Sequence, residues 1–292
     1  MPELPEVEAL VRFLALRTRG SRLDRLELAS FSALKTVQPR LEDLVGRDVL
    51  GWQRKGKYLC LETKGAWLVL HLARGGWLRW YDHVPEARAR PGHGPLALRV
   101  GLQSGDGDGG GPGFDLTEAG TEKRVSFWVV DDPDRIEAVS RLGVDPLDPA
   151  FDSGTLAEVL SRARGTVKSA LTDQSLLAGV GNAYSDEVLH AAKLSPFRPA
   201  RRLSKFEVIE LQRALVELLR AAVAERAGLE AGQLKSEKRS ALRVHGRTGS
   251  ACPACGDTIC EVAFATRSLQ YCPSCQTGGR RLADRRLSRL LK

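Results

Sequence analysis

The stretch CPACGDTICEVAFATRSLQYCPSC, residues 252–275, decides how the rest of the chain is read. Cys252 and Cys255 form one CxxC knuckle, Cys272 and Cys275 a second, with 16 residues between them. Knuckles at that distance supply four thiolates to one tetrahedral Zn²⁺. The intervening CEVAFATRSLQYC alternates like a β-hairpin, with Arg267 near its tip. So small a unit has little core, and the metal contributes its folding energy. Four unrelated cysteines would need the spacing to be accidental. One structural zinc is expected. Cys60 falls mid-strand and reads as an inert core residue, while Cys260 lies outside either knuckle.

Upstream of this module the chain changes character. The net charge of +8 is uneven: residues 1–150 carry 21 Lys/Arg against 22 Asp/Glu, and residues 151–292 carry 23 against 14. A basic second half points to a polyanionic partner. Its helical periods are LAEVLSRA, VKSALTD, YSDEVLHAAK and FEVIELQRALVELLRAAVAERAG, the last ending at Gly228. The first half holds short alternating segments (LDRLELAS, KYLCLET, AWLVLHLA, WLRWYD, LALRVGLQ and RVSFWVV) that predict a β-sandwich or barrel. SGDGDGGGPG at 104–113 predicts a flexible hairpin loop, and DPLDPAFDSG at 145–154 an interdomain linker. No run of apolar residues reaches the ~18 of a membrane span. The acidic start MPELPEVE is unlike an export signal, and a cytoplasmic protein without membrane attachment is expected.

That start carries chemistry of its own. Proline at position 2 favours removal of the initiator Met1, which exposes a secondary amine. An α-amino group has a reference pKa near ~8, so part of it is unprotonated at neutral pH. Such an amine can attack the anomeric carbon of a nucleotide, displace the base and remain as an iminium. Glu3 beside it and Glu6 in the first helical turn could carry protons to and from base and sugar. Residues 5–17, with Val7, Leu10, Val11 and Leu14 at helical spacing, predict an amphipathic helix. In isolation the same segment would be only a helix start with acids favoured by its dipole.

MPELPEVE, GKYL at 56–59, HLARGGWLR at 71–79, GVGNAYSDEVL at 179–189 and the cysteine module occur here in one order. In that order the chain resembles the formamidopyrimidine-DNA glycosylase/endonuclease VIII family along nearly its whole length, apart from the Gly-rich run and the last residues. The resemblance implies an α+β multidomain protein. Its parts would be an N-terminal β-sandwich domain with its helix (1–148), a helix–two-turn–helix domain (149–243), a β-hairpin zinc finger (244–277) and a basic tail (278–292). It implies a base-excision-repair glycosylase with abasic-site lyase activity, acting on damaged double-stranded DNA as a monomer in a bacterial, nucleoid-associated setting. By the same resemblance Pro2 is the Schiff-base nucleophile, Glu3 the acid/base, and Lys57 a lysine at the phosphate beside the lesion. Arg267 matches the finger arginine tied to the second elimination. Asn182, Lys168 and Arg164 match DNA-facing positions, as does His93 through a loosely aligned loop. Glu187 matches an acid that helps hold the GVGN turn, and His71 is assigned to packing.

Departures from the family pattern concern substrate choice. Arg74 stands where the purine-specific branch has a void-filling Met, and Thr117 and Ala119 stand where it has an Arg and a Phe. Arg74 is therefore expected to contact DNA in place of that Met. Ring-opened or oxidised purines are the first expectation, oxidised pyrimidines and abasic sites the second. A non-catalytic damaged-DNA-binding protein of the same fold is the alternative. The tail carries Arg280, Arg281, Arg285, Arg286, Arg289 and Lys292 against Asp284, and could add phosphate contacts that sharpen salt dependence.

Overall fold

Leu4, Val7, Leu10, Val11 and Leu14 bury one face of a helix, α1 (Leu4–Arg17), as their spacing requires. Pro5 sits in the first turn, and the Glu6 carboxylate accepts the backbone N–H of the N-cap Glu3 at 2.8 Å. The computed structural model describes residues 1–92, 94–103, 111–234, 242–264 and 268–283. His93, Arg267, most of the Gly-rich run and the tail from 284 onward lie outside the described residues.

The chain divides into two compact units, Met1–Arg141 with Arg226–Glu237, and Leu142–Glu225 with Lys238–Lys292. In the first, the strands β1 (Leu23–Leu28), β2 (Val49–Lys55), β3 (Tyr58–Thr63), β4 (Ala66–His71), β5 (Gly76–Tyr81), β6 (Leu96–Leu102), β7 (Gly113–Glu118) and β8 (Ser126–Val130) precede a short helix, α2 (Glu137–Ser140). They form two antiparallel four-stranded sheets, ordered β1-β6-β7-β5 and β2-β3-β4-β8. One apolar cluster joins α1 and both sheets, through residues such as Leu10, Leu59, Leu70, Leu98 and Phe114. The sandwich, not a closed barrel, is the architecture.

Two strands, β2 and β7, were not among the alternating segments. β7 follows the Gly-rich run, yet Gly113 is its first residue and no slack loop position. A Cβ there would stand 2.1 Å from the Val100 carbonyl oxygen. Gly76, which opens β5, is equally confined: a Cβ would meet the Leu72 oxygen at 2.3 Å and Val125 Cγ2 at 2.4 Å. Gly76→Ala should therefore lower stability by about 2–3 kcal/mol through overpacking, read as a lower thermal midpoint with an unchanged circular dichroism spectrum.

The segment after residue 225 returns to the sandwich. Leu229, Ala231 and Leu234 join its core, the Trp77 indole N–H donates to the Ala231 carbonyl at 2.6 Å, and Arg17 pairs with Glu230. By its contacts the segment Arg226–Glu237 groups with the sandwich, although it falls within the 149–243 expected for the helical domain.

The second unit carries α3 (Ser153–Arg162), α4 (Val167–Thr172), α5 (Asn182–Ala191) and α6 (Lys205–Ala224), then β9 (Cys260–Ala263) paired antiparallel with β10 (Ser268–Tyr271). Asp152, Thr166 and Ser204 cap α3, α4 and α6 with side-chain oxygens on backbone N–H groups. The segment 145–154 is no free linker. Val144 bridges Leu177, and the carbonyl of buried Phe151 accepts from Gln212 at 3.0 Å.

Candidate active-site and DNA-contact residues

Pro2 is buried, and Met1 before it is 46% exposed. Glu3, 3% exposed, follows directly. The Glu6 carboxylate, which holds the Glu3 amide by one oxygen, has its other oxygen 3.5 Å from Arg226 Nη2. Arg226 has no counterpart in the motifs above. Nothing in sequence spacing connects it to residue 6, because the pairing depends on the return of the chain after α6.

Lys57 occupies a two-residue turn between β2 and β3, where Lys55 pairs with Tyr58. Gly56 supplies the positive φ of +55° that such a turn needs at its first central position, and Lys57 does not share it. This rigid turn leaves Lys57 7% exposed. His71, at the end of β4, stacks on Tyr58 with ring centroids 4.7 Å apart. Burial, and secondarily the Lys57 charge, push the His71 imidazole down to about 4. His71 is thus a neutral neighbour of a cation at physiological pH.

Arg74 is exposed on the tight turn between β4 and β5, directly after Ala73, which takes a φ of +49°. The Gly75 carbonyl accepts the Ala119 N–H at 3.1 Å, so the loop between β7 and β8 lies alongside this turn. That loop differs from its expected register. Thr117 is inside β7, paired with Trp77, and only Ala119 belongs to the loop. The exposed basic residues there are Lys123 and Arg124, and the Glu118 carboxylate fixes the loop by accepting the Arg124 and Val125 N–H groups.

In the second unit Gly179 adopts a φ of +87°, and Gly181 caps α5. Gln174 clamps this turn, accepting from Gly179 N–H at 2.9 Å and donating to the Val180 carbonyl at 2.7 Å. Asn182 begins α5, and its side-chain amide donates to the Ser268 carbonyl at 2.7 Å. Lys168, expected at a DNA-facing surface, is largely buried. Its ammonium donates to Asp186 at 2.6 Å, Ser185 at 2.7 Å and the Asn182 carbonyl at 3.2 Å. The other Asp186 oxygen meets His245 Nδ1 at 2.7 Å and accepts the Gln270 N–H at 3.2 Å. Lys168 and Asp186 therefore join α4, α5 and β10. A cavity of about 260 Å³ lies against them, lined by Thr166, Lys168, Asn182, Phe197 and Ser268, and exposed Arg164 directly precedes Gly165 on its wall.

Glu187 grips a different turn from the one expected. Its carboxylate accepts the N–H groups of Arg243, Val244 and His245 at 2.8–2.9 Å, at the entrance to the finger. Burial raises its pKa, against those three donors.

The Sγ atoms of Cys252, Cys255, Cys272 and Cys275 all lie within 4.8 Å of one another, with Cys252–Cys275 at 3.9 Å and Cys255–Cys272 at 3.4 Å. Zn–S bonds of ~2.3 Å in a tetrahedron place sulfurs about 3.8 Å apart, so the four thiols fit the ion. Cys260 stands apart, with its thiol on the Thr258 carbonyl. Buried His190 of α5 places Nε2 3.2 Å from Cys252 Sγ. A metal-bound thiolate can only accept, so with zinc bound this imidazole nitrogen would be the donor that ties α5 to the site.

Residues 1–108 match the family described as formamidopyrimidine-DNA glycosylase N-terminal domain, 142–232 the formamidopyrimidine-DNA glycosylase H2TH domain, and 249–278 the zinc finger found in FPG and IleRS. The formamidopyrimidine-DNA glycosylase of Moorella thermoacetica is 34% identical over 267 residues, covering 89% of this chain and 93% of that protein. An uncharacterized formamidopyrimidine-DNA glycosylase-like protein of Mycobacterium tuberculosis is 55% identical over 151 residues, 52% of this chain and 94% of its own length. Among solved structures, the Lactococcus lactis enzyme bound non-covalently to DNA containing an AP site superposes with a TM-score of 0.78 at 27% identity, covering 94% of this chain and 99% of that one. The MutM (FPG) protein of Thermus thermophilus gives 0.77 at 31% identity, with 94% and 98% coverage. The sandwich, the helical unit with its GVGN turn and the four-thiol zinc finger are thus parts of one known whole, and the chain belongs to the formamidopyrimidine-DNA glycosylase family of DNA-repair enzymes.

Proposed function

We propose that the protein is a bifunctional DNA glycosylase and abasic-site lyase that excises oxidised bases from duplex DNA. The observation that carries the reading is the N-terminal arrangement: Pro2 stands next to the buried carboxyl of Glu3, with the intervening amide held by Glu6. Once Met1 is removed, the Pro2 nitrogen attacks C1′ of a flipped nucleotide and the bond from C1′ to the base breaks, the base leaving protonated. Glu3 gives a proton to the ring oxygen as the C1′–O4′ bond opens, and the nitrogen, having lost its own proton, becomes an iminium. Removal of a C2′ proton then expels the 3′ phosphate, and removal of a C4′ proton the 5′ phosphate. Water hydrolyses the iminium and returns the amine.

Lys57, set in its rigid turn, is suited to the phosphate beside the lesion, and Arg267 to phosphates around the flipped nucleotide. Asn182 and the N-terminus of α5 offer N–H donors to a phosphate. Arg164 adds exposed positive charge. Arg74, with Lys123 and Arg124 on the neighbouring loop, is suited to the space the flipped base vacates. The family resemblance supports ring-opened or oxidised purines as first substrates and oxidised pyrimidines or abasic sites as second; the cationic residues that replace the wedge of the purine-specific branch add no preference for purines. Zinc is structural and takes no part in these steps.

Incubation of the protein with an abasic or lesion-bearing duplex and borohydride should yield a covalent protein–DNA adduct. Without borohydride, strand ends bearing phosphate on both sides of the gap are expected. Lesion-selective binding with neither adduct nor cleavage would support the damage-binding alternative instead.

A further inference from the structure

We propose that Arg226 is a positioning residue for the N-terminal nucleophile, acting through Glu6; this rests on the reading of Pro2 as that nucleophile. The side chains of Arg226 and Glu6 are each 1% exposed, and the guanidinium Nη2 lies 3.5 Å from Glu6 Oε1. The second oxygen of the same carboxylate accepts the Glu3 N–H at 2.8 Å. That amide is bonded directly to Pro2. One carboxylate therefore links a cation more than two hundred residues away in sequence to the peptide group behind the attacking nitrogen.

Covalent geometry places the Pro2 nitrogen no more than about 3.6 Å from the Glu3 nitrogen, so the Glu6 oxygen sits within roughly 6 Å of the nucleophile. A buried ion pair adds little to stability compared with apolar residues of the same volume, and its use lies in fixing one arrangement. Here the arrangement fixed is that of Glu3 and Pro2. Arg226 is itself seated by the sandwich, because the following residues are held through Trp77 and the core positions of Leu229, Ala231 and Leu234. Loss of the cation removes a charged partner from a buried carboxylate, and any rotation that follows moves the Glu3 amide and the nucleophile with it. Misplacement of a reacting atom by about 1 Å costs on the order of 10²-fold in rate.

The test compares R226M, R226K, E6Q and E6Q/R226M on a preformed abasic duplex under single turnover with borohydride. R226M should trap about 10–100-fold more slowly, while its Kd for a duplex with an uncleavable abasic analogue stays within about 3-fold of the parent. R226K should recover most of the rate. In the E6Q background the added R226M change should cost less than about 3-fold, because the two residues act as one unit. Parent-like trapping by folded R226M overturns the proposal, as do independent, multiplying effects of E6Q and R226M. If R226M does not fold, E6Q/R226M, which removes both charges, decides against E6Q alone. Failure of the Pro2 reading looks different: a chain with a blocked N-terminus would then trap as well as the parent.

Discussion

A chain extended at its N-terminus, so that Met1 is retained, should lose covalent trapping of abasic DNA by at least about 10³-fold, or roughly 4 kcal/mol of transition-state stabilisation. The reason lies in one nitrogen. With Met1 attached, the Pro2 nitrogen is an amide whose lone pair is delocalised into a carbonyl, and without a proton to lose it cannot form a stable iminium. With Met1 removed it is a secondary amine with a pKa near ~8. Affinity for an abasic analogue is expected to fall far less, because Asn182 and the zinc-bearing unit are untouched. Electrophoresis of the borohydride adduct beside a binding titration separates the two effects. Trapping at the parent rate would move the nucleophile elsewhere, with Lys57 the first amine to examine.

Removal of zinc is the second change with a large expected effect. Among the described residues, Val244 and Ile259 join Cys252 and Cys272 in one small buried cluster, and Val262, Leu269 and Tyr271 form another. Neither amounts to a core able to offset the ordering of a 30-residue module that spans 249–278. Metal binding in small zinc modules contributes about 10–16 kcal/mol. Chelation, or Cys272→Ser at a fully buried ligand position, should therefore unfold the β9–β10 hairpin. Amides of Val262 and Leu269 should exchange at least about 10³-fold faster. DNA affinity should fall with it, since Asn182 uses the Ser268 carbonyl as its partner. The sandwich should keep its protection. Hairpin amides that stay protected after chelation would show that packing alone holds the finger.

Much of this is legible in the sequence. α1 declared itself through apolar residues at helical spacing, and the zinc ligands through two knuckles at a workable distance. What stayed hidden depends on contacts distant in sequence. β7 was concealed because Gly113 looks like loop glycine, whereas its lack of a Cβ is required by the Val100 carbonyl. The buried partner of Lys168 was hidden too, because a lone lysine says nothing of Asp186, 18 residues on. Thr117 was misplaced because alternation does not mark where a strand yields to its loop. Arg226 was invisible altogether. No periodicity reports that a chain, after completing four helices of another unit, comes back to a carboxylate at residue 6.

That return also orders events during synthesis. Trp77 and Glu6 emerge from the ribosome early, but Ala231 and Arg226 follow the whole helical stretch from Leu142 to Glu225. At about 5–20 residues per second the wait is on the order of 10 s. Throughout it the nascent sandwich lacks Leu229, Ala231 and Leu234 from its core. The half of the molecule made first is the half completed late, and the Glu6 carboxylate meets the Arg226 guanidinium only after residue 226 has emerged.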